Sequence, residues 1–386
     1  MKELNTIDFT IAVAPNSMSI EQDMLFVKSA LLYSDTINLV SPMASIYFKL
    51  TDKANNRNER TLSNLLKEVI PYCENFDPLY CNNAKQIIKQ FDDIVNSKKY
   101  KSVPFIVKNT TRQGLQKFSN EIKLVLEKNL GEINCQSLTK LVESKKVELY
   151  DFKNSIVKDD AYIDEYYNIL KQSVSNARTF PLFDDLSNSL IQSAIKEGII
   201  ILNNSDEFEV KHANLTNNLL VALPSFEFAS IDEILDIRKE LEAPLIRFRS
   251  RLLSFDNEIQ SMPWDDDFQI ECKKIYLREV APSVLEIDEL TKDSSFIKNL
   301  GYSFLTDESA LKNTGQLVVT VAMAGAITAF SDVMSSEQAF IATGGAYAAS
   351  KVAAAFKEHK DKQREITSKD MYFYYRAGKL LDKDKR

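Results

Sequence analysis

Three aspartates near the start of the chain, Asp8, Asp23 and Asp35, have the residue type and placement that come nearest to an active site. Carboxylates that converge at strand ends hold divalent cations in metal-dependent nucleases, where the metal generates the nucleophile and takes up charge. The plainer reading makes them helix-start and turn carboxylates, favoured there for their charge. Asp23 and Asp35 are the catalytic candidates on the first reading and structural residues on the second. A second set is cationic: Arg238, Arg247, Arg249 and Arg251. Arg247 and Arg251 are four apart and share a helix face. Such a pair can grip a phosphate or carboxylate in fork geometry. It can equally bridge to Glu240, Glu242 or the acidic run Asp265–Asp266–Asp267, which itself reads as the first turn of a helix. These four arginines are the candidate binding residues.

Other chemistry is sparse. No phosphate-binding glycine loop, nucleophile elbow or zinc-protease motif occurs in the sequence. His212 and His359 are the 2 histidines, and both read as surface residues. Cys73, Cys81, Cys135 and Cys272 form no C-x-x-C pair, so no zinc-ligand spacing can be assembled. They read as reduced thiols of a cytoplasmic protein. No cofactor and no metal is expected, and the chain leans away from enzyme chemistry.

The elements that would position these residues follow from periodicity. Thr10 to Ala14 and Thr36 to Val40 read as buried strands on either side of a helix capped by Ser19 and Gln22, a βαβ unit with parallel strands. Val103 to Val107 and Val147 to Phe152 read as further strands, with a helix from Gln113 to Leu130 between them. Together these give an α/β domain over residues 1–155. Helical patterns from Asp160 to Asn176 and from Leu182 to Glu197 precede a β-hairpin of Ile199 to Leu202 and Phe208 to Lys211. That arrangement, over 156–222, is winged-helix-like. Its second helix sets Lys196 against Asp184, Asp185 and Glu197, and the hairpin adds Asp206, Glu207 and Glu209, which suits a protein contact better than phosphates.

The third region, 223–386, is helical and organised by a spine from Ser225 to Ser254. Ser230 and Glu233 have capping-box spacing. Ile234, Ile237, Leu241, Leu245, Phe248 and Leu252 make one apolar face. Pro244 predicts a kink near 240–244. A second long helix runs from Asp265 to Leu290, with Pro282 as its point of interruption. Leu317 to Phe330 and Ala339 to Phe356 form a small-residue helical hairpin in which Gly344, Gly345 and Ala348 are the membrane or oligomer contact candidates. Each arm is short for a bilayer, so a buried hairpin is expected and membrane insertion is the alternative. The aromatic stretch from Met371 to Leu381 should dock back on the body.

The chain of 386 residues has 44% hydrophobic and 27% charged residues, the balance of a folded protein. Its net charge of −7 argues against binding nucleic acid through the whole surface. The fold class is α+β, predominantly helical: a small N-terminal α/β (βαβ) domain, then a helical region with one β-hairpin.

The run LPSFEFASIDEILDIRKELEAPLIRFRSRL, with the later WDDDF and YFYYRAGKLL, resembles a family of bacterial cytosolic proteins to which no activity is assigned. Asp232, Glu233, Arg238, Leu241, Pro244, Arg247, Phe248 and Arg249 carry the resemblance, which extends over most of the chain. It implies no catalytic residues. It implies an accessory component of stress or phage defence. The expectation is therefore a bacterial intracellular interaction or regulatory protein, working through a protein partner or a second copy of itself. Two alternatives stand beside it: a membrane-acting effector using the 315–356 hairpin, and a nuclease-like N-terminal domain.

Overall fold

The computed structural model describes residues 10–14, 20–54, 59–73, 78–153, 160–175, 179–255, 258–291 and 364–382. The chain divides into two compact units. One runs to Val221 and adds Glu227–Glu240 and Leu252–Cys272; the other holds Ala222–Phe226, Leu241–Arg251 and the chain from Lys273. The described architecture is α+β and mostly helical.

The first unit is built on one parallel sheet. Its strands are β1 (Thr10–Ala14), β2 (Thr36–Leu39), β3 (Val147–Leu149) and β4 (Thr179–Phe183), in the order β3-β2-β1-β4. β1 is central: Ile11 pairs with Ile37 on one side and with Phe180 on the other. Its residues Ile11, Ala12, Val13 and Ala14 are all buried, the unbroken apolar run expected where both faces of a parallel strand are covered. At the start of the β1–β2 pair the hydroxyls of Thr10 and Thr36 meet at 2.9 Å. Helix α1 (Ile20–Tyr33) makes the crossover from β1 to β2, as the βαβ pattern requires.

Between β2 and β3 come α2 (Pro42–Ala54), α3 (Glu59–Cys73), α4 (Pro78–Val95), a 3-10 turn at Tyr100–Ser102, α5 (Phe105–Leu130) and α6 (Glu132–Glu143). The strand expected at Val103 to Val107 is therefore absent: that run opens α5, with Pro104 as the residue that enters the helix. A five-residue apolar stretch fits either period, and here the proline decides, since it is tolerated at a helix start but lacks the N–H a sheet ladder needs. Leu115, Phe118, Ile122 and Leu126 form the buried face of α5. Gly114 lets α5 approach α4 closely, because a Cβ there would stand 2.5 Å from the Phe91 ring.

After β3 the chain forms α7 (Asp160–Val174), β4, α8 (Asp185–Lys196) and α9 (Asn204–Val221). Two expectations fail here. β4 lies beside β1, so a boundary at residue 155 would cut through the sheet, and 156–222 is not a separate winged-helix-like module. The β-hairpin is not formed either, because Asn204–Val221 is a continuous helix. Its start is a capping box: Asn203 Oδ1 accepts from the Asp206 amide at 3.1 Å, and Asp206 Oδ2 accepts from the Asn203 amide at 3.1 Å.

The spine is two helices, α10 (Ile231–Glu240) and α11 (Glu242–Phe255), separated at Leu241. Pro244 falls in the first turn of α11, where a missing N–H costs nothing, so the chain stops and restarts where a kink was expected. The capping box of α10 is present: the Ser230 amide donates to Glu233 Oε2 at 2.5 Å and the Glu233 amide to Ser230 Oγ at 3.2 Å. In the second unit Leu241, Leu245 and Phe248 are buried, and Phe248 stacks on Phe373 with ring centroids 5.1 Å apart. Phe373 belongs to α14 (Tyr372–Asp382), so the C-terminal aromatic segment is docked as expected. The other long helix is α12 (Phe268–Ile275) and α13 (Ala281–Thr291), joined by a π-helical turn at Tyr276–Val280 just ahead of Pro282. The 315–356 hairpin, with Gly344, Gly345 and Ala348, lies outside the described residues.

Candidate functional site

The parallel order of the sheet defines where polar groups can gather. From β1 the chain crosses to β2 on one side, while β4 returns to the other side of β1. In open α/β sheets the carboxyl ends of the strands at such a reversal are the usual ligand-binding crevice. Here that edge is occupied by the protein's own hydrogen bonds. The Ala14 carbonyl accepts from Ser187 Oγ at 2.8 Å and from the Tyr166 hydroxyl at 3.1 Å, and those two hydroxyls are themselves 2.9 Å apart. Asp184 caps α8 by accepting from the Ser187 amide at 2.8 Å. Burial, followed by the charges of Asp184, Tyr162 and Asp23, holds the Tyr166 hydroxyl well above its usual range, partly offset by its bond to Ser187. Tyr166 is a neutral hydrogen-bond donor that ties α7 to the end of β1.

The two candidate carboxylates sit at opposite ends of β2. Asp23 is fully buried on α1 and accepts from Ser41 Oγ at 2.5 Å; Ser41, just past the C-terminal end of β2, caps α2 by accepting from the Ala44 amide at 3.1 Å. Asp35 precedes β2 and is bound by Arg238 Nη2 at 2.5 Å. The nuclease-like convergence of Asp23 and Asp35 is thus not formed, and Asp8 lies outside the described residues. Among the described residues no cluster of His, Cys, Asp or Glu could hold a metal ion. Asp23→Asn, which keeps an acceptor for Ser41, should cost about 1 kcal/mol in chemical denaturation. A cost of several kcal/mol would show that the charge itself holds α1 against α2.

The arginines disperse. Arg238 donates to the carbonyls of Leu31, at 2.9 Å, and of Ser34, so it caps the C-terminus of α1 as well as pairing with Asp35. Arg251 pairs with Glu279 at 2.6 Å. Arg247 donates to the Thr367 carbonyl. Arg249 is half-buried on α11. Arg247 and Arg251 therefore do not form a joint anion clamp.

His212, expected at the surface, is buried in α9 and bonded through Nε2 to the Tyr33 hydroxyl at 2.7 Å, among the rings of Phe180 and Phe208. Cys81, Cys135 and Cys272 are buried and outside any disulfide, and burial pushes the thiols of Cys135 and Cys272 up to about 12. At neutral pH Cys135 and Cys272 are protonated and unreactive.

One surface that sequence reasoning missed stands out at the start of α5. Phe105 is 80% exposed and Ile106 77%, with Val107 exposed beside them. Lys98, Lys99 and Lys101 lie on the preceding turn, all exposed. Lys108 folds back onto that turn, donating to the Lys101 carbonyl at 3.0 Å and lying 5.3 Å from the centre of the Tyr100 ring. Arg60 holds the base of the turn through the Val95 carbonyl at 3.1 Å, and Arg112 pairs with Glu59 at 2.8 Å. The result is an exposed apolar tip at the start of α5 with a run of lysines, a basic collar, on the turn before it. The signal was legible: between Asp93 and Glu121 the sequence has no acidic residue, although the chain as a whole carries −7. Two open grooves, of about 380 Å³ at Tyr150, Lys153 and Glu165 and about 400 Å³ at Lys49, Lys145 and Glu148, mix both signs of charge and converge on no common ligand chemistry. No family model, curated protein or solved structure matches the chain.

Proposed function

We propose that the protein is a bacterial intracellular interaction or regulatory protein, an accessory component of a stress or phage-defence system, that works by docking rather than by chemistry at the sheet. The observation that carries this reading is the exposed Phe105–Ile106 pair inside its lysine collar. Exposed apolar side chains that are contiguous mark interaction sites, whereas singly scattered ones are ordinary surface. The structural commitments of Asp23 to Ser41 and of Asp35 to Arg238 support the same choice over a nuclease. The 315–356 hairpin on which the membrane-effector alternative rests lies outside the described residues.

The test is complementation of a deletion strain under phage challenge. Wild-type protein should restore protection. Phe105→Ser with Ile106→Ser should lose it at unchanged protein abundance and thermal midpoint, because both side chains are exposed and contribute little to folding. Full protection by this variant would remove the tip from the function.

A further inference from the structure

We infer that the tip formed by Lys98–Lys101 and Phe105–Val107 docks onto the anionic surface of a lipid bilayer. This rests on the docking reading above and names its partner. Three observations select a bilayer. The first is exposure: Phe105, Ile106 and Val107 open the first turn of α5, and Phe105 and Ile106 are 80% and 77% exposed. An exposed Phe and Ile can enter the boundary between headgroups and acyl chains without a complementary cavity in the partner.

The second is the kind of charge. The collar is lysine: Lys98, Lys99, Lys101 and Lys108. Lysine is depleted in protein–protein interfaces and enriched where segments meet anionic lipid, since a flexible ammonium follows a diffuse, mobile negative surface at little ordering cost. The nearest acids are already engaged: Asp92 with Lys67 at 2.8 Å and Glu59 with Arg112. Asp93, on α4, is exposed and is the one acidic residue close in sequence that offsets the lysine charge.

The third is the helix end. No side chain caps α5 at Pro104. The amides of Phe105, Ile106 and Val107 are the first of the helix and lack partners within it. A lipid phosphate at this position would meet those donors and the positive end of the helix dipole together. The net charge of −7 on the whole chain repels the remainder of the surface from the same bilayer, which leaves the tip as the favoured point of approach.

The test is flotation of the full-length protein with vesicles of phosphatidylcholine alone or mixed with phosphatidylglycerol. The protein should float with the mixed vesicles and remain behind with the neutral ones, and added salt should release it. Two variants, Phe105→Ser with Ile106→Ser and Lys98→Glu with Lys101→Glu, should each lower the bound fraction by about tenfold or more. Absence of vesicle binding, equal binding to neutral vesicles, or binding undiminished in both variants would overturn the inference. If vesicles are not bound but the tip variant still loses protection in cells, docking stands and the partner is a protein. If protection also survives, both readings fall. Retardation of DNA or RNA that depends on the same lysines, without vesicle binding, would equally overturn the bilayer.

Discussion

Phe248→Ala should destabilise the second unit by about 3–5 kcal/mol, the cost of removing a fully enclosed ring and leaving a void. Phe248 is 0% exposed. It lies against Phe373 at 5.1 Å and Tyr374 at 6.1 Å between ring centroids, so it joins α11 to the C-terminal helix. Neither neighbour can fill the space without leaving its own packing, because Phe373 and Tyr374 are themselves fully buried. Urea denaturation measures the loss. The double variant Phe248→Ala with Phe373→Ala should lose less than the two single losses added together, since the ring pair is broken by either change. A loss under about 1 kcal/mol for Phe248→Ala would mean that the site collapses freely and that α14 is not anchored there.

Stability should also fall as pH rises through neutrality, and Glu209→Gln should remove that dependence. Glu209 is buried in α9, and its Oε2 has no hydrogen-bond partner in the structure. Burial, helped by the nearby charge of Asp206, raises its carboxyl from 4.5 to about 7. The folded state then holds a proton that the unfolded chain releases, so the stabilising difference is present below the unfolded value and is lost as pH climbs through the folded one. With allowance for solvent screening, the group should subtract about 2 kcal/mol between about pH 5 and pH 8. Glu209→Gln has no proton to lose, and its denaturation midpoint should change little over that window. A wild-type protein whose stability holds steady across it would show that Glu209 reaches water.

Much of the fold was legible because local signals agreed with it. Thr10 to Ala14, the α1 pattern and Thr36 to Leu39 announced a βαβ unit, and the sheet contains it. Ser230 and Glu233 announced the start of α10. What failed was local ambiguity settled by distant contacts. The helical pattern read from Leu182 overlaps the end of β4 (Thr179–Phe183), which accommodates Pro181 because it is the outer strand of the sheet, where a missing N–H is tolerated. Asn203 to Asp206 reads as a turn or as a capping box, and only the burial of α9 on several sides decides between them. That helix buries Asp206, Glu209, His212, Asn214 and Thr216 as well as its leucines, so no clean apolar face marked it.

The site reading divided in the same way. Spacing alone could not show that Asp23 and Asp35 lie at opposite ends of one strand, or that Arg238 serves the end of α1. The tip was visible as a stretch without acidic residues, but its apolar core was assigned to a strand, which hid the exposure of Phe105 and Ile106.

The claim that the tip works and the sheet's carboxylates only support it is tested most directly by a saturation scan of the gene that reads protection against phage and protein abundance for every variant. Substitutions at Lys98, Lys101, Phe105 and Ile106 should lose protection while abundance stays at the wild-type level, whereas those at Asp23, Asp35 and Arg238 should lose protection only in proportion to abundance. Loss of protection at full abundance for Asp23→Asn and Asp35→Asn, with the tip indifferent, would contradict the account and return the function to carboxylate chemistry.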